Sequence, residues 1–533
     1  MFEALVSRTI RLARDRSGNI AIIFAILVIP LMGIVGAAID YSSAYQAKSK
    51  IQYALDATAL AVNRSIGTLD DNELRELAGS LFASNLGSGP PADLSVIDIS
   101  SSSREVTLKA TTSVETKFMG ILGIDVLSVA ASSTTVAGGL TLEIAMVLDN
   151  SGSMSGKRIR DLKKAASSLT DAMFGGKDRS DTIKIGVVPF AASVNVGPEH
   201  RTSPWIDSAG VSPINAENFS ENVSRFELYD NIRNDDWDGC VETRPYPLDV
   251  LDTTPTPDVP ESYFVPMFAP DEPDGQTNTL NNYLNDQLDE PRGNGDDGGK
   301  GRHRGRGRSS NSQGAGAGDW DWDTAQMNVD KYFPGVTAKH GYSMSSHMGP
   351  GMMCESTAIT PLTNVRADVD RALVKMRAFG MTNIQEGLMW GWRVVSPESP
   401  LMQGEPRDNE VNRKVIVLMT DGANTHFGVN SPNMSMYSAY GFARNGRLGP
   451  PTNNTSTLVS RMNERTREAC ENAKADDILV YTIAFELNNS TTRDLLRDCA
   501  SSSAMAFTAD NGEELIAAFD TIAGELSNLR IAK

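Results

Sequence analysis

Only four cysteines occur in 533 residues, and Cys240, Cys354, Cys470 and Cys499 form no CxxC pair, which excludes a zinc ribbon or a thioredoxin-like redox centre. Histidine is nearly as scarce, with five residues and no HExxH. Neither a Ser-His-Asp arrangement nor a nucleotide-cradling glycine loop accompanies them, so an enzyme is not expected. Positive charge is in deficit too. The 49 Lys and Arg against 67 Asp and Glu leave a net charge of −18, which excludes a surface built to displace counterions from nucleic acid. Metal ions and cationic partners suit that balance better. With 40% hydrophobic and 22% charged residues, the chain is neither wholly disordered nor a polytopic membrane protein, and its length fits two to four domains.

One long uncharged run is present. Asn19 to Ile39 reads NIAIIFAILVIPLMGIVGAAI, close to the roughly 20 residues a helix needs to cross the hydrocarbon core, and Asp40 ends it. Arg8, Arg11, Arg14 and Arg16 precede it against only Glu3 and Asp15. The positive-inside rule therefore keeps residues 1–18 in the cytoplasm, with 19–39 a transmembrane helix and the rest periplasmic or extracellular. A cleavable signal peptide ending near Gly36 and Ala38 is the competing reading, with the same direction of export, and a buried core helix of a cytosolic protein is the third. Beyond the run, Ile51, Leu55, Ala59 and Val62 recur at helical spacing, so residues 40–66 are expected to continue the helix as a protruding stalk.

The stretch RSGNIAIIFAILVIPLMGIVGAAIDYSSAYQAKSKIQYALDATALA resembles the N-terminal segment of Flp pilus-assembly, TadG-like proteins. Related minor pilins carry a glycine followed by a glutamate and an aromatic, which a prepilin peptidase reads. Here Gly18 is followed at the glutamate position by Ile23, with Phe24 next, so a retained anchor in the inner membrane is expected.

Residues 67–139 form a small strand-rich module, because SVIDIS, EVTLKATTSVETKF and VLSVAASSTTVAG alternate apolar and polar side chains; Gly138-Gly139 is its hinge to the next domain. From Leu140 the pattern changes to short buried runs separated by amphipathic stretches: LEIAMVLD, KRIRDLKKAASSLTDAMF, IKIGVVPF, then VIVLMTD, ILVYTIAF, AMAF and a final helix carrying Leu515, Phe519, Ile522 and Leu526. That pattern predicts a Rossmann-like, doubly wound α/β domain over 140–533, with ligand sites at the carboxyl ends of its strands. An irregular insertion at about 195–360, rich in Pro, Asp, Asn and Gly and poor in apolar runs, reads as decoration. Its low-complexity middle, 291–318, is expected to be disordered, and its Lys300–Arg308 basic run to be a solvated loop. Cysteines in an oxidising compartment can pair in three ways. Cys240–Cys354 and Cys470–Cys499 keep each bridge within one structural unit, against four free buried thiols as the alternative.

At the end of the first buried strand sits Asp149-Asn150-Ser151-Gly152-Ser153. The Asp149 carboxylate and the Ser151 and Ser153 hydroxyls can converge there, and an oxygen-only donor set suits a hard divalent cation. Alone, the string could equally be a helix cap before Lys157. A second strand ends at Thr420-Asp421-Gly422, and FGMTNIQEGLMWGW places Thr382 on a glycine-led turn. Together DNSGSM, GMTNIQEGL and LMTDGAN resemble the von Willebrand factor A (VWA) family and its metal-ion-dependent adhesion site (MIDAS). The resemblance implies Asp149, Ser151, Ser153 and Thr382 as ligands of Mg²⁺ (or Mn²⁺ or Ca²⁺), with Asp421 acting through water. His426 is read as a surface or packing residue.

These readings give an expected function: a membrane-anchored Flp/Tad pilus-assembly or adhesion component whose metal captures a carboxylate from a protein partner, such as a pilin or another assembly subunit. An envelope VWA scaffold unrelated to pili is the alternative.

Overall fold

The structure, a computed structural model, describes residues 18–66, 69–87, 89–100, 105–136, 140–233, 235–273, 280–284, 322–339, 348–409 and 411–531. Residues 1–17, expected to be cytoplasmic, the Gly138-Gly139 pair read as a hinge and the low-complexity stretch 291–318 lie outside the described residues. Two compact units divide the chain, Met1–Gly139 with Lys533, and Leu140–Ala532.

In the first unit, helix α1 (Gly18–Arg64) runs without a break for 47 residues. Along its first half Phe24, Leu27, Leu31, Ile34, Val35 and Ile39 are exposed. Other side chains of the expected span, including those of 19–23, lie outside the described residues. Among the described residues no helix is long and apolar enough to cross a membrane.

The second half of α1 is not a free-standing stalk. Ile51, Leu55, Ala59 and Val62 are buried against Leu74, Ala78 and Phe82 of helix α2 (Asp71–Leu86) and against Val106, Leu108 and Ala131 of a small sheet. That sheet is an antiparallel meander of β1 (Asp93–Ser100), β2 (Glu105–Glu115) and β3 (Val126–Val136). Alternation along β2 buries Val106, Leu108 and Ala110 and leaves the intervening side chains outward, so one face meets the helices. The periodicity that marked a stalk is the helical half of this core.

The second unit is built on a six-stranded sheet. Its strands are β4 (Thr141–Asp149), β5 (Ile183–Phe190), β6 (Thr360–Thr363), β7 (Asn412–Thr420), β8 (Leu479–Phe485) and β9 (Ala506–Ala509), ordered β9-β8-β7-β4-β5-β6. All neighbours are parallel except the edge pair β5 and β6, so the sheet is mixed.

Continuous apolar runs in β4 and β7 reflect burial on both faces. Ile144, Met146 and Leu148 share a core with Leu162, Leu169, Leu515 and Phe519 from helices α3 (Lys157–Phe174) and α8 (Gly512–Ile531), joined by α4 (Arg366–Lys375). Ala145 and Val147 face α5 (Ile384–Val395), α6 (Thr455–Ala475) and α7 (Ser490–Cys499). Helix α5 lies against the sheet on glycine: a Cβ at Gly387 would sit 2.6 Å from the Phe190 ring, and one at Gly391 would overlap the Val147 side chain.

The described part of the insertion is not mere decoration. Trp205, Phe219, Phe226, Trp237, Phe264, Phe268 and Tyr332 are buried in the same cluster as Val147 and Trp390. They meet edge-on, with Phe226 and Trp237 centroids 5.3 Å apart and Tyr229 and Phe268 5.0 Å apart. Buried polar groups hold the irregular backbone. Arg225 pairs with Glu242, which also takes Arg447, and Asp271 Oδ1 accepts from the Tyr283 and Leu284 amides. Scattered aromatics each bury ~150–250 Å², so a core forms here without any apolar run. Two disulfides lie in this unit, Cys240–Cys354 across 114 positions and Cys470–Cys499 across 29, the latter joining α6 to α7.

Candidate metal centre

Strands β4 and β7 are paired in parallel with Leu148 opposite Met419, so Asp149 ends one strand beside Thr420, and Asp421 follows one position beyond. Asp149 is fully buried. Its Oδ1 accepts the Ser151 N–H at 2.7 Å, which folds the DNSGS turn back on its own carboxylate, and its Oδ2 accepts the Thr420 hydroxyl at 2.5 Å. The Ser151 and Ser153 hydroxyls lie 3.0 Å apart, and Ser153 donates to Asp421 Oδ1 at 2.5 Å.

The second loop is tied to the first by backbone. Gly152 N–H donates to Gly380 O at 2.9 Å, and Phe379 N–H donates to Asn150 O at 2.8 Å. Gly380 takes φ +83°, a left-handed value that a side chain would oppose. Two residues on, Thr382 is buried, directly before Asn383, whose side chain caps α5 by accepting the Glu386 N–H. Gly422 marks where the loops meet, since a Cβ there would lie 3.2 Å from Thr382 Oγ1 and 3.5 Å from Ser153 Oγ. All five residues expected from the sequence are therefore gathered at the carboxyl ends of β4 and β7.

Burial, and then the negative charge of Asp421, push the Asp149 carboxyl up to about 6, while its bonds to Thr420 and Ser151 oppose that rise. Burial likewise raises Asp421. The negative charge of Asp421 is thus felt at buried Asp149, with the Ser151 and Ser153 hydroxyls beside them. Among the described residues no group of three or more His, Cys, Asp or Glu is placed to hold a metal. A cation here would be held by the Asp149 carboxylate and neutral hydroxyls, with Asp421 already engaged by Ser153, a hard oxygen set that fits Mg²⁺ and would leave the ion under-neutralised.

The sequence reading missed two members of this neighbourhood. Arg158, on the first turn of α3, donates from Nη1 to Asp421 Oδ2 at 2.9 Å and from Nε to Glu486 Oε2 at 2.7 Å. Glu486 directly follows β8, so FELNN carries a third acidic strand end. His426 is buried, 3.4 Å from the Ser438 hydroxyl and stacked on Tyr440, and burial alone pushes its imidazole down to about 4. It is a packing residue.

Helix α1 of the other unit carries the second functional signal. Residues 18–64, the whole of α1, match the family model of putative Flp pilus-assembly TadE/G-like proteins. This Tad-like segment covers only the N-terminal part of the chain, and no curated protein matches the sequence.

Among solved structures, the chain is similar to the von Willebrand factor domain of the type V pili tip protein Mfa5 from Porphyromonas gingivalis, with 10% identity, 74% of this chain and 97% of that chain covered and a TM-score of 0.33. It is also similar to the pilus adhesin RrgA from Streptococcus pneumoniae, with 12% identity, coverage of 81% and 48% and a TM-score of 0.33. The pilus adhesin SpaC from Lactobacillus rhamnosus GG is a third, with 10% identity, coverage of 79% and 32% and a TM-score of 0.30. These values are too low to define a shared fold, and the reading of the site rests on its own geometry.

Proposed function

We propose that this chain is a pilus-assembly or adhesion component of the cell envelope, anchored in the inner membrane by Asn19–Ile39. Its C-terminal unit is a VWA-type, doubly wound domain that binds a protein partner through Mg²⁺. The observation that carries the reading is the meeting of Asp149, Ser151, Ser153, Thr382 and Asp421 at two adjacent strand ends. The Tad-like match of residues 18–64 supports the pilus setting.

Bound there, the ion supplies Lewis acidity toward an incoming anion. Asp149 would hold it from the buried side, the Ser151, Ser153 and Thr382 hydroxyls would orient it, and Asp421, occupied by Ser153 and Arg158, would act through water. Because neutral donors dominate, a carboxylate from a pilin or another assembly subunit completes the charge. The role proposed for the site is binding rather than catalysis.

A strain lacking this chain, complemented with wild type or with Asp149→Ala, tests the reading. Loss of surface pili or adherence, restored by wild type and not by Asp149→Ala, is expected. Normal pili and adherence in the deletion strain would contradict it.

A further inference from the structure

Asp40, which closes the uncharged run of α1, is buried and turned onto the loop between β2 and β3 of the same unit. Its Oδ1 accepts the Lys117 N–H at 2.9 Å, and its Oδ2 accepts those of Phe118 at 2.8 Å and Met119 at 2.7 Å. One turn earlier, Gly36 makes room for Phe118, because a Cβ on Gly36 would overlap Phe118 Cβ. The loop is therefore held level with the last turn of the apolar run, and it cannot slide along the helix without breaking three hydrogen bonds.

Its sequence is unusual for a hairpin connection, which is ordinarily polar. Phe118-Met119-Gly120-Ile121-Leu122-Gly123-Ile124 has no charged or polar side chain. Phe118 is 39% exposed, Ile124 41% and Val126 49%. They stand at the level of α1 where Ile34, Val35 and Ile39 are also exposed, and immediately past Asp40 come exposed Tyr41 and Tyr45, residues of the kind enriched at membrane–water boundaries. Isolated exposed apolar side chains need no explanation, whereas several held at one level beside an apolar helix run mark a contact.

We propose that this loop is a second membrane contact, with Phe118 and Ile124 seated in the boundary between lipid headgroups and acyl chains beside α1. The inference rests on reading Asn19–Ile39 as a membrane anchor. An apolar element lying in that boundary buries ~5–10 Å deep. Two contacts, helix and loop, fix the tilt and rotation of the first unit against the bilayer, which one helix alone would leave free.

Nitroxide labelling of the full chain in phosphatidylglycerol–phosphatidylethanolamine liposomes tests this. All four cysteines are in disulfides, so single thiols at Phe118→Cys, Ile124→Cys, Leu31→Cys and Val96→Cys can each be labelled alone. The readout is the ratio of collision with oxygen, which concentrates in lipid, to collision with a water-soluble nickel chelate. A ratio several-fold higher at 118 and 124 than at 96 is expected, with 31 higher still.

If 31 reads as lipid while 118 and 124 read as water, or are shielded from both reagents, the loop proposal falls and the anchor stands. If 31 also reads as water, the anchor reading has failed and takes the proposal with it. Ile124→Cys alters an exposed side chain that Asp40 does not touch, so a folding defect confined to Phe118→Cys leaves the outcome decided.

Discussion

Arg158 and Asp421 form an ion pair at the rim of the candidate metal centre, Nη1 to Oδ2 at 2.9 Å, and the same guanidinium reaches Glu486 at 2.7 Å. Asp421 is therefore engaged twice, by Ser153 on one oxygen and by Arg158 on the other. Removing a positive charge a few ångströms from a divalent ion is worth about 1 kcal/mol even in a water-like dielectric. Arg158→Met is thus expected to tighten Mg²⁺ binding on the order of tenfold. Calorimetric titration checks this; unchanged or weaker binding would show that Arg158 does not tune the site.

The Asp40 carboxylate satisfies three consecutive amides, those of Lys117, Phe118 and Met119. Asp40→Ala leaves them without that acceptor, at a cost of about 1–3 kcal/mol. Hydrogen exchange at 117–119 should accelerate strongly in the variant, while α2 keeps its protection. Unchanged exchange would mean the loop is held by other contacts.

Loop length predicts the order of the disulfide contributions. In the chain-entropy treatment a bridge across 114 positions constrains the unfolded chain by about 5 kcal/mol and one across 29 by about 4 kcal/mol. The double change Cys240→Ser with Cys354→Ser should therefore lower the melting temperature of the C-terminal unit more than Cys470→Ser with Cys499→Ser. The reverse order would contradict the entropic account.

A pH prediction comes from Asp235 and Asp238. Burial, then the charges of neighbouring aspartates, push Asp235 up to about 7 and Asp238 up to about 6. Asp235 is buried, with Oδ2 lacking a hydrogen-bond partner among the described residues. Both folded values exceed the unfolded carboxylate value, so the folded state holds these protons more tightly. The stability they contribute is full below about pH 4 and is lost as pH rises through 6 to 7. With a chelator present, Asp235→Asn should stabilise the protein at pH 8 and change little at pH 4. An equal effect at both pH values would contradict the assignment.

Much of the site was legible in the sequence. Asp149, Ser151 and Ser153 end a buried strand, and the resemblance to the VWA family assigned Thr382, on a glycine-led turn, and Asp421, at a second acidic strand end, to the same site. The strand-ending pattern of VIVLMTD and the closing helix were equally readable, since burial on both faces leaves continuous apolar runs.

The pairing of Arg158 with Glu486 and Asp421 was not legible. It depends on β8 lying beside β7 and on the first turn of α3 facing that edge, relationships of strand order that no local period encodes. The insertion was underestimated for a related reason. Phe219, Phe226, Trp237 and Phe268 are isolated in sequence and meet only once the chain has folded around Arg225 and Glu242.

The most direct test of the account is Mg²⁺ titration of the full chain beside Asp149→Ala, with thermal unfolding recorded for both. Saturable binding of one ion by the wild type, accompanied by a rise in melting temperature and lost in Asp149→Ala, is predicted. Equal Mg²⁺ binding by the two proteins would contradict the metal centre.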